Sequence, residues 1–363
     1  MAMEYVEVDK NLIVESTIGK YDVNLINIKN EPFDVYGMYD YKNQDMYLRM
    51  PRDIATEVSD GVFRLNREPT GGRIRFTTNS EYIAIKTKMD YVGYAPHYTL
   101  IEAAGFDVYF DVDGKDMLKG VFIPPHGTKE GFESVVKFRD TNPKQITICF
   151  PVHCLVREVF IGIAPGATLD HGKKYINEKP VVCYGSSITH GTGCTRPGLT
   201  YPNILSRRYN VDVLNLGFSG QCKGEMRMAE YIASLDMSAF VYDYDHNAPT
   251  PEHLKETHEP FFKFIRERHP NLPIIMLSRP NIFPESKTNK ICRDIIYETY
   301  ENAVKNGDKN VYFIDGSEYL KEYGYDDCIV DCIHPNDIGY SLMADNIGKY
   351  LEKVIAESED FKK

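Results

Sequence analysis

The rhythm of hydrophobic and polar positions changes near the middle of the chain. From about residue 5 to 163, apolar residues come in short alternating or continuous runs broken by turn residues: Arg73 to Thr77, Tyr82 to Met89, Phe106 to Val112, Gly120 to Ile123, Gln145 to Phe150 and Val156 to Ile163. A period of two puts alternate side chains on one face, so these runs predict strands. Asp113-Gly114 joins two of them as a hairpin turn, because its second position favours positive φ, and Pro124-Pro125 stops the next strand. An all-β sandwich of two sheets is expected over residues 1–165.

The stretch from Ala164 to Pro180 has few large apolar residues and carries Pro and Gly punctuation, which marks a linker at 166–178 and a second domain over 179–363. Beyond it the period changes. Val181 to Tyr184, Val213 to Leu216, Ala239 to Tyr244, Ile274 to Leu277 and Val311 to Ile314 are compact apolar strands separated by helix-length segments. Strands alternating with helices predict a parallel sheet. Leu254, His258, Phe261, Phe262 and Ile265 fall on one helical face, as do Ile338, Leu342, Met343, Ile347 and Leu351 in the last helix, so these faces are expected to cover the sheet. His258 on such a face reads as a packed core histidine rather than a ligand. The chain shows no internal repeat and no low-complexity tract.

Composition narrows the function classes. With 363 residues, 42% hydrophobic and 26% charged, the chain is long enough for two domains with buried cores. A formal net charge of -11 with no long basic run repels phosphate backbones, which argues against nucleic acid as a partner. The opening MAMEYVEVDKNLIVEST has no basic stretch before an apolar run, and no run of about 18 apolar residues occurs elsewhere, so a cytoplasmic protein with no membrane partner is expected. The eight cysteines include no CxxC pair and several lie in apolar runs, which reads as buried thiols rather than disulfides or zinc ligands. With no tryptophan and 26 tyrosines, any sugar-stacking platform would have to use tyrosine, phenylalanine or histidine, which weakens a pure lectin reading.

In a doubly wound sheet, ligands gather beyond the carboxyl ends of the strands near the switch point, so the residues just after each strand are where chemistry is sought. After the first strand comes Gly185-Ser186-Ser187-Ile188-Thr189, a turn able to present Ser187 as a nucleophile. A serine hydroxyl is nearly inert at neutral pH; it needs a base, and the base needs an acceptor to hold its tautomer. Asp331 and His334 can supply both from a tight turn before the last helix, with Pro335 and Asp337 suited to that helix's first turn. An attacked ester gathers negative charge on its carbonyl oxygen, and donors fixed around that oxygen are usually the largest catalytic term. The Ser187 N–H, the Gly220 N–H after the second strand and the Asn247 side-chain amide after the third make a candidate oxyanion hole.

Tyr201, His246 and Arg279 are candidate walls of the substrate pocket, though Tyr201 and Arg279 read equally as structural hydrogen-bonders. Asp243, Asp245 and His246 invite a metal, but strand alternation puts the carboxylates on one face and the imidazole on the other, so neither metal nor cofactor is expected. A nucleotide-binding turn is the other reading of residues 185–193, and GSSITHGTG lacks the GxGxxG spacing it would need.

Ser187, Gly220, Asn247 and Asp331 with His334 resemble, in chain order, the four blocks of the SGNH or GDSL-type hydrolases over roughly residues 178 to 355. The resemblance implies a flavodoxin-like three-layer α/β/α domain with a five-stranded parallel sheet, and acyl hydrolysis without metal. Two positions depart from the family pattern. Ser186 stands where an aspartate is usual, and Asp245-His246-Asn247-Ala248 replaces Gly-x-Asn-Asp. Both variants resemble a bacterial branch whose amino-terminal, jelly-roll-like β-sandwich carries a Gly-x-Asp-Leu-Tyr motif, here Gly105-Phe106-Asp107-Val108-Tyr109, a segment that reads equally as a plain strand. That branch is similar to carbohydrate acetyl esterases, which implies removal of an acetyl group from a sugar or oligosaccharide through an acyl-serine. The alternatives are a lysophospholipase or thioesterase with a longer acyl pocket, and a non-catalytic carbohydrate-binding protein; a homo-oligomer is compatible with each.

Overall fold

The computed structural model describes residues 13–14, 18–19, 21–280, 283, 286–321 and 323–357. They form two compact units that are not consecutive stretches. The first holds residues up to Arg49, Arg67–Lys174 and Arg196–Gly198; the second holds Met50–Asn66, Tyr175–Thr195 and the chain from Leu199 onward.

In chain order come β1 (Ile13–Val14), β2 (Asn24–Asn27), β3 (Asp34–Tyr36), α1 (Arg52–Val58), α2 (Asp60–Asn66), β4 (Arg73–Thr78), β5 (Tyr82–Val92), α3 (Leu100–Ala104), β6 (Phe106–Val112), β7 (Lys115–Phe122), β8 (Glu133–Lys137), β9 (Lys144–Cys149), β10 (Cys154–Ile163) and β11 (Leu169–His171). The strands make two antiparallel sheets, β1-β2-β10-β5-β8 and β11-β4-β9-β6-β7, with β3 paired to β4. Between them Ile74, Phe76, Ile83, Ile85, Ile146 and Ile148 pack as one core. The β6–β7 turn has positive φ at both Asp113 (53°) and Gly114 (83°), the combination that matches the strand twist.

Two segments differ from the sequence expectation. Residues 52–66 are helical, and Met50, Ala55, Val62 and Leu65 are buried in the core of the second unit. Ile54, Val58, Val62 and Leu65 recur at helical spacing, a signal masked by the strand-like runs on either side. The expected linker contains β11, whose Leu169 is buried and whose backbone pairs with β4, so the change of unit comes at Tyr175.

The second unit is a three-layer α/β/α fold. Strands β12 (Val181–Gly185), β13 (Val213–Gly217), β14 (Ala239–Asp243), β15 (Ile274–Leu277) and β16 (Val311–Ile314) form a parallel sheet ordered β13-β12-β14-β15-β16. Its helices are α1 and α2 together with α4 (Ser187–His190), α5 (Tyr201–Tyr209), α6 (Met226–Ala233), α7 (Pro251–Arg268), α8 (Lys287–Lys305) and α9 (Asp337–Glu357). The order reverses between β12 and β14, which places the switch point beside Ser187. Helix α7 buries Leu254, His258, Phe261, Phe262 and Ile265; α9 buries Leu342, Met343, Ile347 and Leu351, while Ile338 in its first turn stays exposed. None of the eight cysteines is in a disulfide, and all but Cys332 are buried.

His258 is a core residue. Its Nδ1 meets Thr299 Oγ1 at 2.9 Å and its ring stacks on Tyr242, and burial pushes its pKa down to about 3. The unfolded chain takes up this proton near pH 6.5 and the folded chain only near 3, so stability falls as pH drops through that window. The slope is up to about 1.4 kcal/mol per pH unit. His258→Gln is expected to lose roughly 2 kcal/mol less than wild type between pH 6.5 and 5 in urea unfolding; equal losses would refute the assignment.

Candidate active site

Strand β12 delivers Ser187 through a crowded turn. A Cβ on Gly185 would lie 2.1 Å from both Asp243 O and Thr189 Oγ1, so only glycine fits. Ser186 caps α4: its Oγ accepts from the Ile188 N–H at 3.2 Å, and its own N–H donates to Asp243 O at 2.9 Å. Ser186 is fully buried, so the small neutral cap avoids placing a carboxylate there without solvent. Gly191, at φ 116°, ends the helix after one turn.

The second part of the site is the turn before α9. Asp331 Oδ1 accepts from the backbone N–H groups of Ile333 (3.2 Å) and His334 (2.9 Å), across Cys332 at φ 69°. Asp331 Oδ2 meets His334 Nδ1 at 2.8 Å, and His334 Nε2 meets Ser187 Oγ at 2.8 Å. Burial alone would raise the Asp331 pKa, but the hydrogen bonds from the His334 backbone and ring, the imidazole's charge and the Ile333 N–H outweigh it and hold the carboxyl below its ordinary range. An ionised Asp331 accepts from Nδ1–H, which leaves Nε2 to accept the serine proton.

The remaining predicted groups follow the next two strands. Gly220 lies in the turn after β13 at φ 70°, and a Cβ there would meet no atom within 4 Å, so backbone conformation rather than space selects glycine. Asn247 closes a short 3-10 turn after β14, and its Nδ2 donates to Phe218 O at 3.1 Å. The amide carries two N–H groups, and this bond uses one.

Residues 178–352 match the GDSL-like Lipase/Acylhydrolase family, and residues 23–169 match the GxDLY family, the N-terminus of SGNH-hydrolase-type esterases. Residues 178–352 form a GDSL-like acylhydrolase domain. The hydrolase is similar in structure to a GDSL-like lipase from Bacteroides ovatus (27% identity, TM-score 0.82, covering 92% of this chain and 98% of that one). It is also similar to the salicylyl-acyltransferase SsfX3 of a tetracycline biosynthetic pathway (21%, 0.74, 92% and 97%) and to a family two carbohydrate esterase from Clostridium thermocellum (14%, 0.61, 89% and 99%); at these identities the likeness is one of fold. No curated protein matches the chain.

Not every predicted wall residue of the hydrolase faces a pocket. Tyr201 has no exposed surface; its hydroxyl meets Thr189 Oγ1 at 3.0 Å, and Thr189 in turn donates to Asp243 Oδ2 at 3.0 Å. It belongs to the core, because the first turn of α5 packs inward. Burial, reinforced by neighbouring Asp245, pushes the Asp243 pKa well above its ordinary value. Arg279 is committed to Asp245, with Nε to Oδ2 at 3.0 Å and the backbone N–H to the same oxygen at 3.1 Å, while part of it lines a cleft with Asn289, Ser317 and Tyr325. His246 is half-buried; burial first, then the charges of Arg279 and His334, push its pKa down to about 4, so it is a neutral imidazole beside Asn247.

Asn215, Thr189, Asp243 and Asp245 are the supporting residues that the sequence left without roles. Asn215 ties the end of β13 to α4, donating to Thr189 O at 2.8 Å and accepting from the Gly217 N–H at 2.8 Å. Polar residues inside or at the end of otherwise apolar strands, Asn215 in β13 and Asp243 in β14, are the signal that could have found two of them. In the first unit, the GxDLY motif acts as a clamp. Asp107 Oδ2 accepts from Arg196 Nη1 (2.6 Å), the Gly198 N–H (2.9 Å) and the Tyr109 hydroxyl (3.1 Å), and a Cβ on Gly198 would collide with Tyr109 and Asp107. Asp107 and Tyr109 are buried by these partners and are not presented to a substrate.

Proposed function

We propose that the protein is a serine esterase that removes a small acyl group, acetyl, from a carbohydrate or oligosaccharide. The observation that carries this reading is the continuous line from Asp331 through His334 to Ser187, with both contacts at 2.8 Å. His334 takes the Ser187 proton as Oγ attacks the ester carbon, and the charge on the carbonyl oxygen is met by the N–H groups of Ser187 and Gly220 and by the Asn247 amide. Collapse expels the sugar alcohol, which receives that proton from His334. Water, deprotonated by the same imidazole, then releases acetate and restores the serine.

The sugar is supported by likeness of fold to the Clostridium thermocellum family two carbohydrate esterase, described in complex with cellohexaose, and by the polar surroundings that His246 and Asn247 give the end of β14. The test is a comparison of p-nitrophenyl acetate, p-nitrophenyl octanoate and an acetylated xylo-oligosaccharide. Release of acetate from the oligosaccharide, with kcat/KM for the acetate ester at least about tenfold above that for the octanoate, is expected. A preference for octanoate would favour a lipid or thioester hydrolase instead.

A further inference from the structure

We propose that Thr195 and Asp337 are a positioning pair that sets the separation of Ser187 and His334. The proposal rests on the reading of Ser187 as the nucleophile. The two residues lie on different segments, the loop that leaves α4 and the first turn of α9, and each segment is tied to one of the reacting side chains.

The loop begins on the serine itself. The Ser187 carbonyl accepts from the N–H groups of both Gly191 (2.9 Å) and Thr192 (3.0 Å), so residues 191 and 192 move with the nucleophile. Thr192 O accepts from the buried Tyr340 hydroxyl of α9 at 2.7 Å. At Gly193 (φ 97°) the loop passes so close to the histidine turn that a Cβ would stand 2.8 Å from Pro335 O and 3.2 Å from His334 Cβ. Two residues later the Asp337 carboxylate takes both donors of Thr195, the backbone N–H at 2.8 Å and Oγ1 at 2.6 Å.

The histidine turn is closed on itself, with Val330 N–H to His334 O and Asn336 N–H to Cys328 O both at 2.9 Å, so it shifts as one piece. Its lateral position against Ser187 therefore depends on what grips it from the side. The capping of α9 does not need Asp337: Asn336 Oδ1 already accepts from the N–H groups of Ile338 (3.0 Å) and Gly339 (3.2 Å). The Asp337 carboxylate is left to hold Thr195 and, together with the Tyr340 hydroxyl on Thr192 O, it closes the circuit from Ser187 round to His334. A charge-assisted pair of hydrogen bonds is stiff in geometry, while its place at the surface keeps its weight in overall stability small.

The test uses the full chain and two readouts, kcat and KM for p-nitrophenyl acetate and the rate at which a fluorophosphonate labels Ser187. Thr195→Val is expected to lower both kcat and the labelling rate about tenfold with KM and the thermal midpoint unchanged, because small displacements between reacting groups are costly. Thr195→Ser should restore both, and Asp337→Ala combined with Thr195→Val should cost no more than either alone. Wild-type kcat and labelling in Thr195→Val would overturn the proposal. So would a rise in KM alone, or a fall in thermal midpoint that tracks the lost activity and is not recovered in Thr195→Ser. A wild-type protein that the fluorophosphonate does not label would defeat the nucleophile reading and this proposal together.

Discussion

Ser187→Ala is expected to remove ester hydrolysis and leave the fold in place. The substitution deletes the hydroxyl that His334 Nε2 meets at 2.8 Å. The loss should be at least about 10⁴-fold in kcat, since the oxyanion hole and binding alone leave only residual turnover. Nothing in the local packing needs the hydroxyl: Ser186, not Ser187, caps the helix, so the thermal midpoint should stay within a few degrees. Turnover of p-nitrophenyl acetate and a thermal melt measured on the same sample decide it. Activity above a few per cent of wild type would place the chemistry elsewhere.

The second large effect is expected from Asp331→Asn. The Oδ1 position must still accept from the N–H groups of Ile333 and His334, so the asparagine amide nitrogen would be turned toward His334 Nδ1. A donor there forces the imidazole into the other tautomer, with its proton on Nε2 facing Ser187, where it cannot take the serine's proton. Loss of about 10⁴-fold in kcat with an unchanged KM is the expected result. The wild-type carboxylate, held below its ordinary range, contributes stability that is in place above the unfolded value near 3.8 and is lost as pH falls through the lowered folded one. A variant that keeps more than about a tenth of wild-type kcat would remove Asp331 from the tautomer-holding role.

The strands of the second unit were legible because each is a compact apolar run bounded by turn residues, and Ile274–Leu277 and Val311–Ile314 begin and end where the pattern says. Ser187, Asp331 and His334 were legible for a related reason. Each directly follows a strand or precedes a helix, where topology brings chain-distant residues together. What local pattern could not show was which unit a segment joins. Residues 52–66 have helical spacing, but α6, which α1 packs against, lies far along the chain. Of the two readings of Tyr201, pocket wall and structural hydrogen-bonder, the structure keeps the second; spacing gives a face and not the direction in which that face points. The motif at Gly105 to Tyr109 announced a special role, yet nothing local identified Arg196 and Gly198 as what it holds.

The interleaving of the two units bears on the order in which the protein can be built. As the ribosome extends the chain, α1 and α2 emerge long before α6, which α1 packs against. Arg227 on α6, which bonds Glu57 on α1 at 2.6 Å, must still be made before that contact can form. The acylhydrolase unit therefore cannot complete its core vectorially; it waits on a contact of high sequence separation, the kind that slows folding and lengthens exposure of apolar surface. Cutting the gene at the apparent boundary would have the corresponding cost. A chain beginning at Tyr175 lacks Met50, Ala55, Val62 and Leu65, and it is expected to appear in the insoluble fraction even though Ser187, Asp331 and His334 are all present.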